Sequence, residues 1–179
     1  MYNKQIIPYL LFLLPLTLLL TACSSSPQYK TPTNEQVYEF IRSSKIEPLA
    51  IKDVGEFSTV VLVQTDRSYA YYTLHSNESG EVVHNYLGIN NISKTEPVSV
   101  LNGVIDLTFV GLIFNDNELF EAVDRVDVLF QSGRKVTEKV QGRGVIVPSK
   151  LKGIDGEYME IEIYDKEEKI LKKIVRESL

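Results

Sequence analysis

Tryptophan is absent from the 179 residues, cysteine occurs once, as Cys23, and histidine twice, as His75 and His84. A single cysteine excludes an internal disulfide and a thiolate-rich zinc site, so the fold has to rest on its apolar core. Two histidines leave little material for serine–histidine or zinc hydrolysis. There is also no Gly-x-Ser-x-Gly elbow, no His-Glu-x-x-His and no phosphate-cradling glycine loop. Basic charge is in deficit, 19 Lys and Arg against 24 Asp and Glu for a net charge of -5. That balance argues against nucleic acid and against a peripheral grip on anionic lipid. No apolar run reaches span length either. The longest, Ile6 to Leu20, has about 15 residues and is broken by Pro8 and Pro15, where a membrane helix needs about 20.

What is present begins with Lys4, this short apolar run and the small residues Thr21 and Ala22, the pattern of a secretory signal peptide. Leu20-Thr21-Ala22-Cys23 resembles the lipobox of bacterial lipoproteins, in which cleavage precedes a cysteine whose sulfur carries a diacylglyceryl group. The resemblance covers roughly residues 1 to 26, and the remainder is similar in style to uncharacterised lipoproteins of Gram-positive bacteria, with no named fold family. It implies a signal peptide over 1–22 and lipidation of Cys23, with acyl chains such as palmitate holding the protein on the extracytoplasmic face of the cell membrane. In a Gram-negative envelope the same signal implies the outer membrane. Two acyl chains anchor stably where one binds marginally, at about 0.8 kcal/mol per buried methylene. An incidental cysteine beside an ordinary cleavage site, or an uncleaved anchor, is the competing reading.

Residues 23–32, polar and punctuated by Pro27 and Pro32, read as a flexible tether. Residues 33–179 then read as one domain, long enough for a self-sufficient core. Thr33-Asn34-Glu35-Gln36 has capping-box spacing, with Val37, Phe40 and Ile41 at helical intervals, so a short helix is expected from about Asn34 to Ser43. Pro48 prevents its extension.

From Phe57 onward apolar residues alternate or form short runs between turn residues. Strands are expected over 57–64, 69–76, 81–87, 98–101, 104–114, 125–130, 135–141, 145–147 and 157–164. Asn102-Gly103 carries the signal of a two-residue type I′ turn, and hairpins are also expected at Asn77 to Gly80 and at Gln131 to Arg134. The run from Val104 to Phe114 is apolar on both faces, as a doubly covered central strand would be. The C-terminal stretch fits either a helix capped by Asp165 or a turn at 165–168 followed by a last strand. The alternating strand Met159 to Ile163 needs an edge partner, which favours the strand. Many short strands and one helix make the chain mainly β, an antiparallel β-sandwich with a short N-terminal helix, or alternatively a β-barrel.

No catalytic residue, metal ligand set or cofactor motif stands out. Asn115-Asp116-Asn117-Glu118 and Asp155-Gly156-Glu157 are oxygen-rich, but neither has the alternation of a calcium-binding EF-hand loop, and turn chemistry explains both. Gly142-Arg143-Gly144 reads as a bulge or bend. The more informative constellation is the hairpin around Asn77 to Gly80. A loop of those four residues would pair His75 with Val82, Thr73 with His84 and Tyr71 with Tyr86. Tyr71, Thr73, His75, His84 and Tyr86 would then share an outward face, with Ala70, Tyr72, Leu74, Val83 and Leu87 toward the core. Ordinary half-buried strand packing is one explanation of such a face. A shallow platform for an envelope protein, peptide or glycan is the other. Two functions are therefore expected: a lipid-anchored binding or assembly module of the cell envelope, or a small envelope hydrolase using paired carboxylates.

Overall fold

The computed structural model describes residues 28–65, 68–89, 95–103, 107–149 and 157–176. The expected signal peptide over 1–22, Cys23, Asp155 and Gly156 lie outside them. The chain opens with α1 (Asn34–Ser44), capped by Thr33 in a capping box with Gln36, as its spacing predicts. Four strands follow in hydrogen-bonded order, β1 (Pro48–Val54), β2 (Ser58–Gln64), β3 (Tyr69–Ser76) and β4 (Val82–Ile89). A second sheet has the order β5 (Val98–Asn102), β6 (Phe109–Phe114), β9 (Gly144–Pro148). The short helix α2 (Asn117–Ala122) leads to the third sheet, ordered β11 (Ile170–Val175), β10 (Tyr158–Asp165), β7 (Val123–Phe130), β8 (Lys135–Lys139). All pairings are antiparallel and the sheets do not close, so the architecture is an open β-sandwich and not a barrel.

The β5–β6–β9 sheet is the middle layer. Its Val110, Leu112, Phe114 and Val147 pack against Val126, Val128, Phe130 and Ile161 of the third sheet. From its other side Leu101, Phe109, Ile113 and Ile146 meet Val60, Leu62, Tyr69 and Tyr71 of the first sheet. Every residue of β6 and β9 is therefore buried, and their apolar runs do not alternate. The outer face of the first sheet is covered by α1, whose Val37, Phe40 and Ile41 pack on Val61, Ala70 and Leu74.

Two expectations give way here, and Pro48 gains a second role. Asn102-Gly103 does not form a two-residue turn: Asn102 pairs with Val110, and the Gly103 N–H donates to the Phe109 carbonyl at 2.8 Å. Strand β6 starts only at Phe109, and glycine suits position 103 because a Cβ there would lie 2.0 Å from the Leu107 carbonyl oxygen. Pro48 does more than stop the helix, since it opens β1, an edge strand where a missing N–H is tolerated. Asp116, Asn117 and Glu118 form the cap and start of α2 and not a simple turn, with the Asp116 carboxylate accepting from the Leu119 N–H at 2.8 Å. The last strand, favoured over a helix by the edge argument, is present as β11.

Candidate functional site

The β3–β4 hairpin decides the site. Asn77 N–H donates to the Glu81 carbonyl and Gly80 N–H to the Asn77 carbonyl, both at 3.0 Å, with Gly80 at φ +79°. This is a three-residue loop, a type I turn closed by a left-handed residue, where glycine carries no Cβ penalty. The loop is one residue shorter than the expected four, so the register slips by one and every β4 side chain changes face. Ser76 pairs with Val82, His75 with Val83, Leu74 with His84, Thr73 with Asn85, Tyr72 with Tyr86 and Tyr71 with Leu87. The five residues expected on one face are thereby divided. Tyr71, Thr73 and His75 face the middle sheet, whereas His84 and Tyr86 lie on the α1 side.

Tyr71 is core, 2% exposed, with its ring edge-on to Phe109 at 5.0 Å. Tyr86 is 52% exposed and leans over Gly88, where any Cβ would stand 3.3 Å from its ring. Its ring meets that of Tyr72 at a tilt, 5.0 Å between centres, while the exposed His84 lies 4.9 Å from Phe40 of α1. A two-histidine platform therefore does not exist.

What the shifted register builds instead is a cavity of about 360 Å³ on the middle-sheet side of the hairpin. Its apolar wall is Tyr71, Leu87 and Leu107, its polar groups are Ser58, Thr73, His75 and Asn85, and Tyr86 borders it from the strand edge, so of the five expected residues only His84 does not line it. Half-buried His75 is fixed through Nδ1, 3.1 Å from the Phe57 carbonyl oxygen and 3.2 Å from Ser58 Oγ. Since a carbonyl only accepts, Nδ1 of the neutral ring carries the proton, leaving Nε2 as the ring's acceptor. The N-terminal segment is pinned beside this corner. Lys30 exchanges two backbone hydrogen bonds with Ser76, Thr31 donates to the Glu56 carbonyl at 2.9 Å, and the Tyr29 ring lies 5.3 Å from that of His75. Residues 29–31, expected within the tether, are thus part of the folded unit. No sequence signal reveals Asn85, Ser58 and Leu107 as neighbours, because they come together only through loop length and sheet stacking.

A second cavity, about 350 Å³, runs between β1 and β9 and is crossed by the Lys52–Glu138 ion pair at 2.9 Å. Neither cavity brings two carboxylates together. Two acids do approach on the outer face of the third sheet, where Lys135 Nζ lies 2.9 Å from Asp127 and 3.0 Å from Glu162. Glu162 also accepts from Tyr164 Oη at 2.7 Å, and this bond followed by that from Lys135 holds its carboxyl down to about 2. Lys135 is correspondingly held above the ordinary lysine value by Asp127 and Glu162. Tyr164 and Lys135 together keep Glu162 ionised, whereas glycoside hydrolysis needs a carboxyl kept protonated. Among the described residues no group of three or more His, Cys, Asp or Glu could hold a metal ion, and no helix is long and apolar enough to cross a membrane. Comparison with protein-family models, with curated proteins and with solved structures gives no match for this chain.

Proposed function

We propose that the protein is a binding module of the bacterial cell envelope, tethered by lipid on Cys23 and presenting the β3–β4 cavity to a peptide, a glycan or a partner protein. The cavity carries this reading. It is concave, mostly apolar and fitted with a few convergent polar groups, the ordinary anatomy of a ligand site. Its size suits one or two side chains or a sugar ring, and not a large cofactor.

The lipid anchor rests on Leu20-Thr21-Ala22-Cys23, and it adds a geometric constraint. Five residues separate Cys23 from Tyr29, and the six Cα-to-Cα steps between them span at most about 20 Å when fully extended. A lipidated Cys23 would hold the Tyr29–His75 corner, and the cavity with it, within that reach of the bilayer surface. The ligand would then be membrane-proximal.

Two measurements test the two halves separately. Metabolic labelling with a fatty-acid analogue should mark the wild-type chain and not Cys23→Ala; labelling of the variant overturns the anchor. Affinity capture from solubilised envelopes, read by mass spectrometry, should recover a species that Asn85→Ala and His75→Ala lose and Lys139→Ala retains. Equal recovery by all of these variants overturns the cavity as the binding site.

A further inference from the structure

Strand β4 is an edge of the first sheet, and among the described residues nothing pairs with its outer side. Val83 to Gly88 are all exposed, including Val83 at 38%, Tyr86 at 52% and Leu87 at 40%. An open edge is a template for another strand, and proteins ordinarily blunt one with lysine, proline or a bulge. The third sheet follows that rule, with Lys135 and Lys139 on its edge strand β8 and Lys172 and Lys173 on β11. Strand β4, Val-Val-His-Asn-Tyr-Leu-Gly-Ile, has no lysine, no acid and no proline, and pairs with β3 without a bulge.

The backbone groups it offers follow from the ladder. The bond from Asn77 to Glu81 makes that pair hydrogen-bonded, and hydrogen-bonded and non-bonded pairs then alternate along the hairpin. Ser76, opposite Val82, agrees, because its N–H and C=O turn away from β4 to bond Lys30. The N–H and C=O of Val82, His84, Tyr86 and Gly88 therefore point out from the free edge.

We infer that a second copy of this chain fills that edge, β4 against β4, antiparallel about a two-fold axis at Asn85. A two-fold interface must be self-complementary, and β4 is palindromic in chemistry about Asn85: ring residues at 84 and 86, branched aliphatics at 83 and 87. His84 then faces Tyr86 of the second copy, Val83 faces its Leu87 and Asn85 faces its Asn85. Four outward-pointing pairs meet in register and exchange about eight main-chain hydrogen bonds. No like charges oppose. Leu87 and Asn85 line the cavity, so Val83 and Asn85 of the second copy extend its wall, and the two cavities join across the seam.

The test is cross-linking of the full-length chain in mild detergent. At a non-hydrogen-bonded antiparallel pair the Cα atoms stand about 4.5 Å apart, within disulfide range. Mild oxidation of Asn85→Cys should give a dimer well above the wild-type background on non-reducing gels. Val83→Cys alone should stay at background, because its own copy lies four residues along the strand, and Val83→Cys with Leu87→Cys should restore the dimer. Adding Tyr86→Pro to Asn85→Cys should abolish it, since the lost N–H belongs to the free edge and not to the β3 ladder. An Asn85→Cys chain that stays at background, or a Val83→Cys chain that cross-links as well, overturns the pairing. A β4 edge that serves a strand of a different protein would give the first of those results. The measurement reads neither ligand capture nor lipid labelling, so it fails or succeeds independently of the binding proposal.

Discussion

Leu74 lies opposite His84 across the β3–β4 ladder, the buried leucine backing onto α1 and the imidazole continuing the same face outward toward Phe40. From that one pairing follows the separation of the two histidines, the burial of Tyr71 and the exposure of Tyr86.

Tyr71 and Tyr86 should therefore respond oppositely to truncation. Tyr71→Ala is expected to cost about 3 to 5 kcal/mol, the range for a large aromatic removed from a packed core. Tyr86→Ser should stay within about 0.5 kcal/mol, as surface changes do. Thermal melts of the two single variants decide this, and similar losses would place both rings in one environment.

Gly144 marks where two sheets touch. A Cβ on it would stand 2.8 Å from Leu49 Cβ and 3.0 Å from the Leu49 carbonyl, closer than real contacts allow. Gly144→Ala should destabilise by about 1 to 3 kcal/mol through overpacking. Co-substitution Leu49→Ala keeps both the Cβ and the carbonyl that clash, so it should recover essentially none of the loss in urea unfolding.

Three hairpins use the same turn, with the left-handed position held by Gly80, Gly133 and Glu168, at φ +79°, +81° and 68°. Gly133→Ala should cost about 1 kcal/mol, because alanine is strained there. Glu168→Gly relieves that strain while losing the exposed contact to Arg125, so denaturant midpoints should show it at or above wild type.

Acid should dissolve the network on the third sheet. Because the folded Glu162 carboxyl is held down to about 2, against an ordinary value of about 4.3, its contribution is complete above the ordinary value. It fades as pH falls from about 5 toward 2. Glu162→Gln should lower the melting temperature at pH 7, by the equivalent of about 1 kcal/mol for a carboxylate with part-exposed partners. The gap from wild type should narrow steadily in melts taken down to pH 3. A gap independent of pH would remove the charge from the explanation.

Local chemistry was enough to read the mainly β composition, the capping box at Thr33 and Gln36, the doubly covered character of the run that ends at Phe114, though not its start at Phe109, and the last strand. Each depends on residues within a turn or a few positions of one another, where periodicity and hydrogen-bonding capacity act directly. The start of β1 was hidden because proline is also a helix stop, and α2 because a capping aspartate looks like any acidic turn.

The candidate site needed more than neighbours in the chain. Asn77-Glu78-Ser79-Gly80 announces a turn but not whether it closes over three residues or four, and that single residue sets which side of the sheet every later side chain occupies. Nor can alternation say which of two faces is covered when a sheet is stacked on one side and roofed by a helix on the other. Tertiary packing placed Leu107 and Ser58 beside Thr73, His75 and Asn85, because burial energy is collected over whole faces and not residue by residue.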